Sequence, residues 1–313
     1  MVQERAKQLI ADAVKDRISD LYFLPKDTHF ELYRRHNDER QFMGEFPYDD
    51  MQAIVGHFKF VSGMNVGEKR RSQLGSCQYD YGEGTISLRL STVGDYKGHE
   101  SLVIRLIYDL DKDLSFWFEN VKKLSDDVKG RGLYLFSGPV GSGKTSLMYH
   151  LARLRFQGQQ VITIEDPVEI KQEEMLQLQL NEAIGSTYDD LIKLSLRHRP
   201  DLLIIGEIRD SQTARAVVRA SLTGATVFST IHAKSISGVY DRLLELGVTP
   251  EELKNSLQGI YYQRLLVGGG IVDFADQDFE NYQPTKWNQQ IDQLFEAGHL
   301  SERQWQSEKI KTA

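Results

Sequence analysis

The stretch "FSGPVGSGKTSL", Phe136 to Leu147, limits what this chain can fold into more than any other part of it. Gly138, four residues, then Gly143, Lys144 and Thr145 is the spacing of a phosphate-binding loop. Glycines admit positive φ and let several backbone N–H groups converge on one anion. The candidate cradle is therefore Gly138, Pro139, Val140, Gly141, Ser142, Gly143, Lys144, Thr145 and Ser146. Lys144 is expected to reach the β- and γ-phosphates, and the Thr145 hydroxyl to ligate Mg²⁺. A helix opening near Gly143 would point its positive end at the same anion. Such a loop needs a strand before it and a helix after it. "GLYLFSG" (Gly132 to Gly138) reads as a short buried strand, and the segment from Lys144 to Phe156 has Leu147, Leu151 and Leu154 at helical spacing. A glycine-rich turn with a chance lysine is the competing explanation, on the order of one per cent in a chain of this length. The expected ligand is a nucleoside triphosphate with Mg²⁺.

At 313 residues the chain is long enough for two domains with their own cores. Apolar runs stop at four residues, as in "LLII" (Leu202 to Ile205), too short to span a membrane as a helix. The opening "MVQERAKQLI" is charged and lacks the apolar core of a signal peptide. Cys77 is the one cysteine, which leaves no internal disulfide and no cysteine-rich zinc site. The cytoplasm is the expected compartment. Net charge is −7, and the densest basic patch, "EKRRSQ" (Glu68 to Gln73), is flanked by an acid. Nucleic-acid binders usually show a basic face, so no direct DNA binding is expected.

Along the chain, Val2 to Asp20 is expected to form an amphipathic helix, followed by strands at "LYFLP" and "HFELYRR" and a turn at His36 to Arg40. A second helix covers Asp49 to Gly63. A hairpin turns on Gly82-Glu83-Gly84, and "SLVIRLIY" (Ser101 to Tyr108) is one more strand. Residues 1–110 thus read as a small α+β domain, and 111–131 as a charged junction with one short helix. From Gly132 strands and helices alternate, which implies an α/β domain with a mostly parallel sheet. Its strands are expected at Leu133–Ser137, Val161–Glu165, Leu202–Gly206 and Thr226–Ile231, with two closing helices, the second from Glu251 to Leu266. This core is read as residues 132–268. Residues 269–313 are read as a hairpin and a helical tail bent at Gly298.

Two expected strand ends carry acids, where open α/β sheets place their ligands. One has Glu165, Asp166 and Glu169; the other has Glu207, Arg209 and Asp210. A phosphate-loop enzyme needs carboxylates there to hold Mg²⁺ through water and to orient the attacking water. Solvated helix caps are the commoner use of such acids taken singly. His232 follows the fourth strand, and Arg89 and Arg105 lie mid-strand in the first domain. Alone, these three read as a packed or surface histidine and two solvated edge arginines.

Four motifs in order, "GPVGSGKT", "ITIEDPVE", "GEIRD" and "TGATVFSTIH", resemble the type II/type IV secretion ATPase superfamily, which powers pilus and pseudopilus assembly. The likeness spans roughly residues 15–268 and includes "SDLYFLP", "ISLRLST" and the C-terminal helices. It implies a C-terminal RecA-like ATPase domain with a smaller N-terminal α+β domain, ATP and Mg²⁺ as ligands, and a homohexameric ring. Lys144 and Thr145 are implied as the phosphate and Mg²⁺ contacts. Glu165 is implied as the water-activating base, supported by Asp166 and Glu169, and Glu207 as the manager of Mg²⁺ and water; these two roles are exchangeable. His232 matches a γ-phosphate sensor, and Arg89 and Arg105 match arginines that reach a neighbouring subunit's nucleotide.

Departures are Ala225 in place of a first histidine, Arg199 where an acid is common, and the lack of a tetracysteine zinc module. The compact form resembles the competence-pilus assembly ATPases of Gram-positive bacteria, which serve DNA uptake. That implies a cytoplasmic motor held at the inner face of the cell membrane by a platform protein. The alternatives are a motor of another pilus or secretion system, a nucleic-acid translocase on the same core, or a nucleotide-gated scaffold.

Overall fold

Strands that are apolar on both faces must be covered on both faces, and the second half of this chain is built around several of them. The structure, a computed structural model, describes residues 2–36, 39–108, 114–168, 170–181, 185–266 and 268–311. The chain divides into two units, residues 1–109 and 110–313.

The first unit runs α1 (Val2–Lys15), β1 (Asp20–Pro25), β2 (His29–His36), β3 (Glu39–Pro47), α2 (Tyr48–Val61), β4 (Gln73–Asp80), β5 (Thr85–Gly94) and β6 (Glu100–Ile107). Among the described residues the strands form one antiparallel sheet in the order β3-β2-β1-β6-β5-β4. Period-two alternation turns Phe23, Leu32, Leu88, Leu90, Leu102 and Ile104 into one core, closed by Ala6 and Ile10 of α1 and Ile54 and Phe58 of α2. Strand β3 was not anticipated. It is an edge strand with no buried residue, so no hydrophobic alternation marks it.

One charged contact ties α2 to β6. Lys59 and Glu100 are 1% and 6% exposed, and Lys59 Nζ donates to both Glu100 carboxylate oxygens at 2.6 and 2.8 Å. The Glu68 carbonyl takes a further donation from Nζ at 2.6 Å, so the ammonium's donors are satisfied.

The second unit runs α3 (Val121–Asp126), β7 (Gly132–Ser137), α4 (Lys144–Arg155), β8 (Val161–Glu165), β9 (Leu176–Gln179), α5 (Tyr188–Arg197), β10 (Leu202–Ile208) and α6 (Ser211–Leu222). It continues through β11 (Thr226–Ile231), α7 (Ile236–Glu245), α8 (Pro250–Ser256), β12 (Leu257–Leu266), β13 (Gly269–Ala275), α9 (Thr285–Glu296) and α10 (Glu302–Glu308). The sheet order is β13-β12-β7-β11-β10-β8-β9, parallel except for the β12–β13 hairpin. Leu133, Leu135, Ile162, Ile164, Leu203 and Ile205 face α5 to α9. The alternate residues Tyr134, Phe136, Leu202, Ile204 and Phe228 face α3 and α4. This is the two-sided cover that such strands require.

Three expectations are corrected. The closing helix ends at Ser256, and Leu257–Leu266 is strand β12. Its aromatic pair Tyr261 and Tyr262 divides between the two cores, and a Cβ at Gly259 would stand 2.8 Å from the Phe274 ring and 2.9 Å from Tyr134. Strand β10 runs on through Glu207 to Ile208, with a register slip at Gly206. Strand β9 extends the sheet beyond the four strands expected. The tail packs on the sheet. Trp287 is fully buried and donates to the Glu308 carbonyl at 2.8 Å, while the Glu308 carboxylate pairs with Arg264 of β12.

Removing one member of a buried ion pair strands its partner. Glu100→Leu should therefore destabilise the first unit by about 3–5 kcal/mol, and Lys59→Met in the same chain should recover much of that loss. Urea unfolding of the full chain checks this. A Glu100→Leu midpoint equal to that of the parent would contradict it.

Candidate active site

The loop leaves β7 at Ser137 and enters α4 at Lys144. Gly138, Gly141 and Gly143 have φ of 143°, 79° and 81°, values that side chains disfavour. Gly138 has a second reason: a Cβ there would lie 2.3 Å from the Gln263 carbonyl oxygen. Lys144 is 8% exposed, and its Nζ donates to the carbonyls of Gly138 at 3.0 Å and Pro139 at 2.8 Å. Thr145 and Ser146 stand half-buried in the first turn of α4, and Val140 is exposed at the loop's tip. Positive-φ glycines, an ammonium folded over the loop and a helix N-terminus suit a polyphosphate with its metal ion.

Strands β7, β11, β10 and β8 are consecutive neighbours, so their C-terminal ends form one row. His232, just beyond β11, places Nδ1 3.1 Å from the Gly138 carbonyl and Nε2 3.1 Å from Glu207 Oε1. Glu207 Oε2 accepts from Arg209 Nε at 2.8 Å, and this raises the Arg209 guanidinium above its ordinary value. The loop, His232, Glu207 and Arg209 thus form one line of polar contacts across three strand ends.

Glu165, at the end of β8, is 5% exposed. Its Oε1 accepts from Tyr149 Oη at 2.6 Å, Thr163 Oγ1 at 2.7 Å and Gln177 Nε2 at 3.3 Å. Tyr149 belongs to α4, so the helix that starts at Lys144 also orients this acid. Burial and the Glu165 charge push the Tyr149 phenol far above its ordinary value, which keeps it a donor. Asp166 is exposed, and Glu169 lies outside the described residues. Asp210 caps α6, accepting from Thr213 N at 2.8 Å. Beside Gly206 stands Tyr188, whose hydroxyl would be 3.3 Å from a Cβ there and whose phenol burial pushes up to about 12.

Arg89 and Arg105 lie in the first unit, directly opposite each other on β5 and β6. Like charges in facing positions repel. Asp20, 3% exposed on β1, accepts from Arg105 Nε at 2.8 Å and offsets part of that repulsion.

Sequence reasoning did not single out Tyr149, Thr163, Gln177, Tyr188 or Gln263. Tyr149 carried one usable signal, its place one turn after Thr145 on the same helix. A hydrogen bond to a charged group is worth about 1.5–3 kcal/mol, so Tyr149→Phe should slow ATP turnover on the order of tenfold or more. Steady-state hydrolysis checks this, and unchanged turnover would remove Tyr149 from the site.

The protein family described as type II/IV secretion system protein matches residues 1–288. Competence protein ComGA of Streptococcus pneumoniae is 65% identical over 310 residues, covering 99% of each chain. Competence protein ComGA of Bacillus subtilis is 36% identical over 273 residues, 85% of this chain and 76% of that one. In fold, the chain is similar to the Legionella pneumophila ATPase DotB, with a TM-score of 0.74 over 96% of this chain at 17% identity. The chain belongs to the type II/IV secretion system protein family and is a P-loop ATPase built on a RecA-like fold.

Proposed function

We propose that this ATPase works as a homohexameric motor that assembles a competence pseudopilus for DNA uptake, docked on a membrane platform protein at the cytoplasmic face. The competence assignment is supported by the 65% identity to a competence protein along the whole chain. Catalysis is supported chiefly by one observation: the loop, His232 and Glu207 meet in a single network, with Glu165 anchored from the loop's own helix.

In this reading Lys144 exchanges the Gly138 and Pro139 carbonyls for the β- and γ-phosphates of ATP. Gly138 to Ser146 supply N–H groups and hydroxyls to the polyphosphate. Thr145, and Glu207 through water, would hold Mg²⁺, which would supply charge neutralisation at the transferring phosphoryl group. Glu165, fixed by Tyr149 and Thr163, orients and deprotonates the attacking water, and His232 senses the γ-phosphate. The roles of Glu165 and Glu207 are exchangeable, with Glu207 the alternative base. Arg89 and Arg105, two facing cations, serve an anion and complete the site of the neighbouring subunit.

Lys144→Ala should abolish hydrolysis by the purified chain and transformation in cells together; wild-type turnover would sink the assignment. The arginines have a sharper test. An arginine supplied in trans is worth about 10³–10⁵ in rate, so Arg89→Ala should bind ATP yet scarcely hydrolyse it. Rings mixed from Arg89→Ala and Lys144→Ala chains should regain activity at junctions with an intact loop and an intact arginine. If subunits demonstrably mix and no activity returns, the site is not shared or all six sites must be intact; an Arg89→Ala ring with wild-type turnover would exclude an essential catalytic role for Arg89 outright.

A further inference from the structure

We propose that Gln263 of β12 is a positioning residue for the phosphate-binding loop, turning the Gly143 N–H toward the bound polyphosphate. Gln263 is 3% exposed, and its Nε2 donates to the Ser142 carbonyl at 2.5 Å. A carbonyl only accepts, so this contact fixes which end of the amide faces the loop. C=O and N–H of one trans peptide point in opposite directions. Drawing the Ser142 C=O toward β12 therefore turns the Gly143 N–H away from β12. Oriented N–H groups of this kind are what a loop offers an anion.

Two further observations argue against simple packing. The Gln263 Nε2 would stand 3.1 Å from a Cβ at Gly143, so the amide lies against the very peptide it orients. Its Oε1 and the Ser142 Oγ are buried without a hydrogen-bond partner among the described residues. An apolar side chain of the same length would fill this place beside Tyr261 without an unmet acceptor. The amide is retained at a cost, which its single contact to the loop explains.

The inference rests on reading the loop as the ATP site, so Lys144→Ala is measured alongside Gln263→Leu and Gln263→Glu in the full chain. Glutamate keeps the size of glutamine but cannot donate to the Ser142 carbonyl, and it carries the test should leucine lower the folded yield. An interaction made equally in ground and transition states moves KM and leaves kcat alone. Both Gln263 variants should raise the KM for ATP about tenfold, the upper range for one hydrogen bond, with kcat within about twofold of the parent. A purely structural role would lower the melting temperature and leave KM unchanged. Unchanged KM in both variants, with Lys144→Ala inactive, overturns the inference and leaves the ATP site standing. A fully active Lys144→Ala chain overturns the ATP site and the inference with it.

Discussion

The Gly138 carbonyl oxygen has two lone pairs, and the site is organised around where they point. Lys144 Nζ donates to this oxygen from within the loop, and His232 Nδ1 stands at hydrogen-bond distance from the neighbouring strand end. Through the other nitrogen of His232 the same oxygen is linked to Glu207, and through that acid to Arg209. In the proposed reading, a phosphate that draws Lys144 away would leave His232 as this oxygen's remaining partner. One backbone atom thus connects the phosphate-binding loop to the acid expected to manage metal and water.

That connection depends on strand order. Because β11 lies between β7 and β10, the residue after β11 has the loop on one side and Glu207 on the other. The order is held by a sheet with apolar residues on both faces and helices over both. Interiors of this kind are close-packed, so a strand end moves little relative to its neighbours. Helix α4 adds a second brace: it begins at Lys144 and, one turn on, presents Tyr149 to Glu165.

Much of this was legible in the sequence, for stated reasons. The loop's spacing and the apolar runs of β7, β8, β10 and β11 carry strong local signals, and the structure places each of these strands within a residue or two of its expected bounds. What stayed hidden was set by distant partners. Strand β12 was read as helix because "LQGIYYQRLL" has apolar residues on every side; pairing between β7 and β13 decides it. Edge strand β3 has no buried face to write a pattern. Gln263 and Gln177 look like solvated polar residues until the fold buries one against the loop and turns the other toward Glu165.

The central claim is that Lys144 leaves the loop's own carbonyls for the phosphates of ATP. A crystal structure of the chain with Mg²⁺ and a non-hydrolysable ATP analogue tests it most directly. The account predicts Lys144 Nζ on the β- and γ-phosphates, Thr145 Oγ1 on the metal and the Gly143 N–H on phosphate oxygen. An analogue bound elsewhere, with Lys144 still on the Gly138 and Pro139 carbonyls, would contradict it.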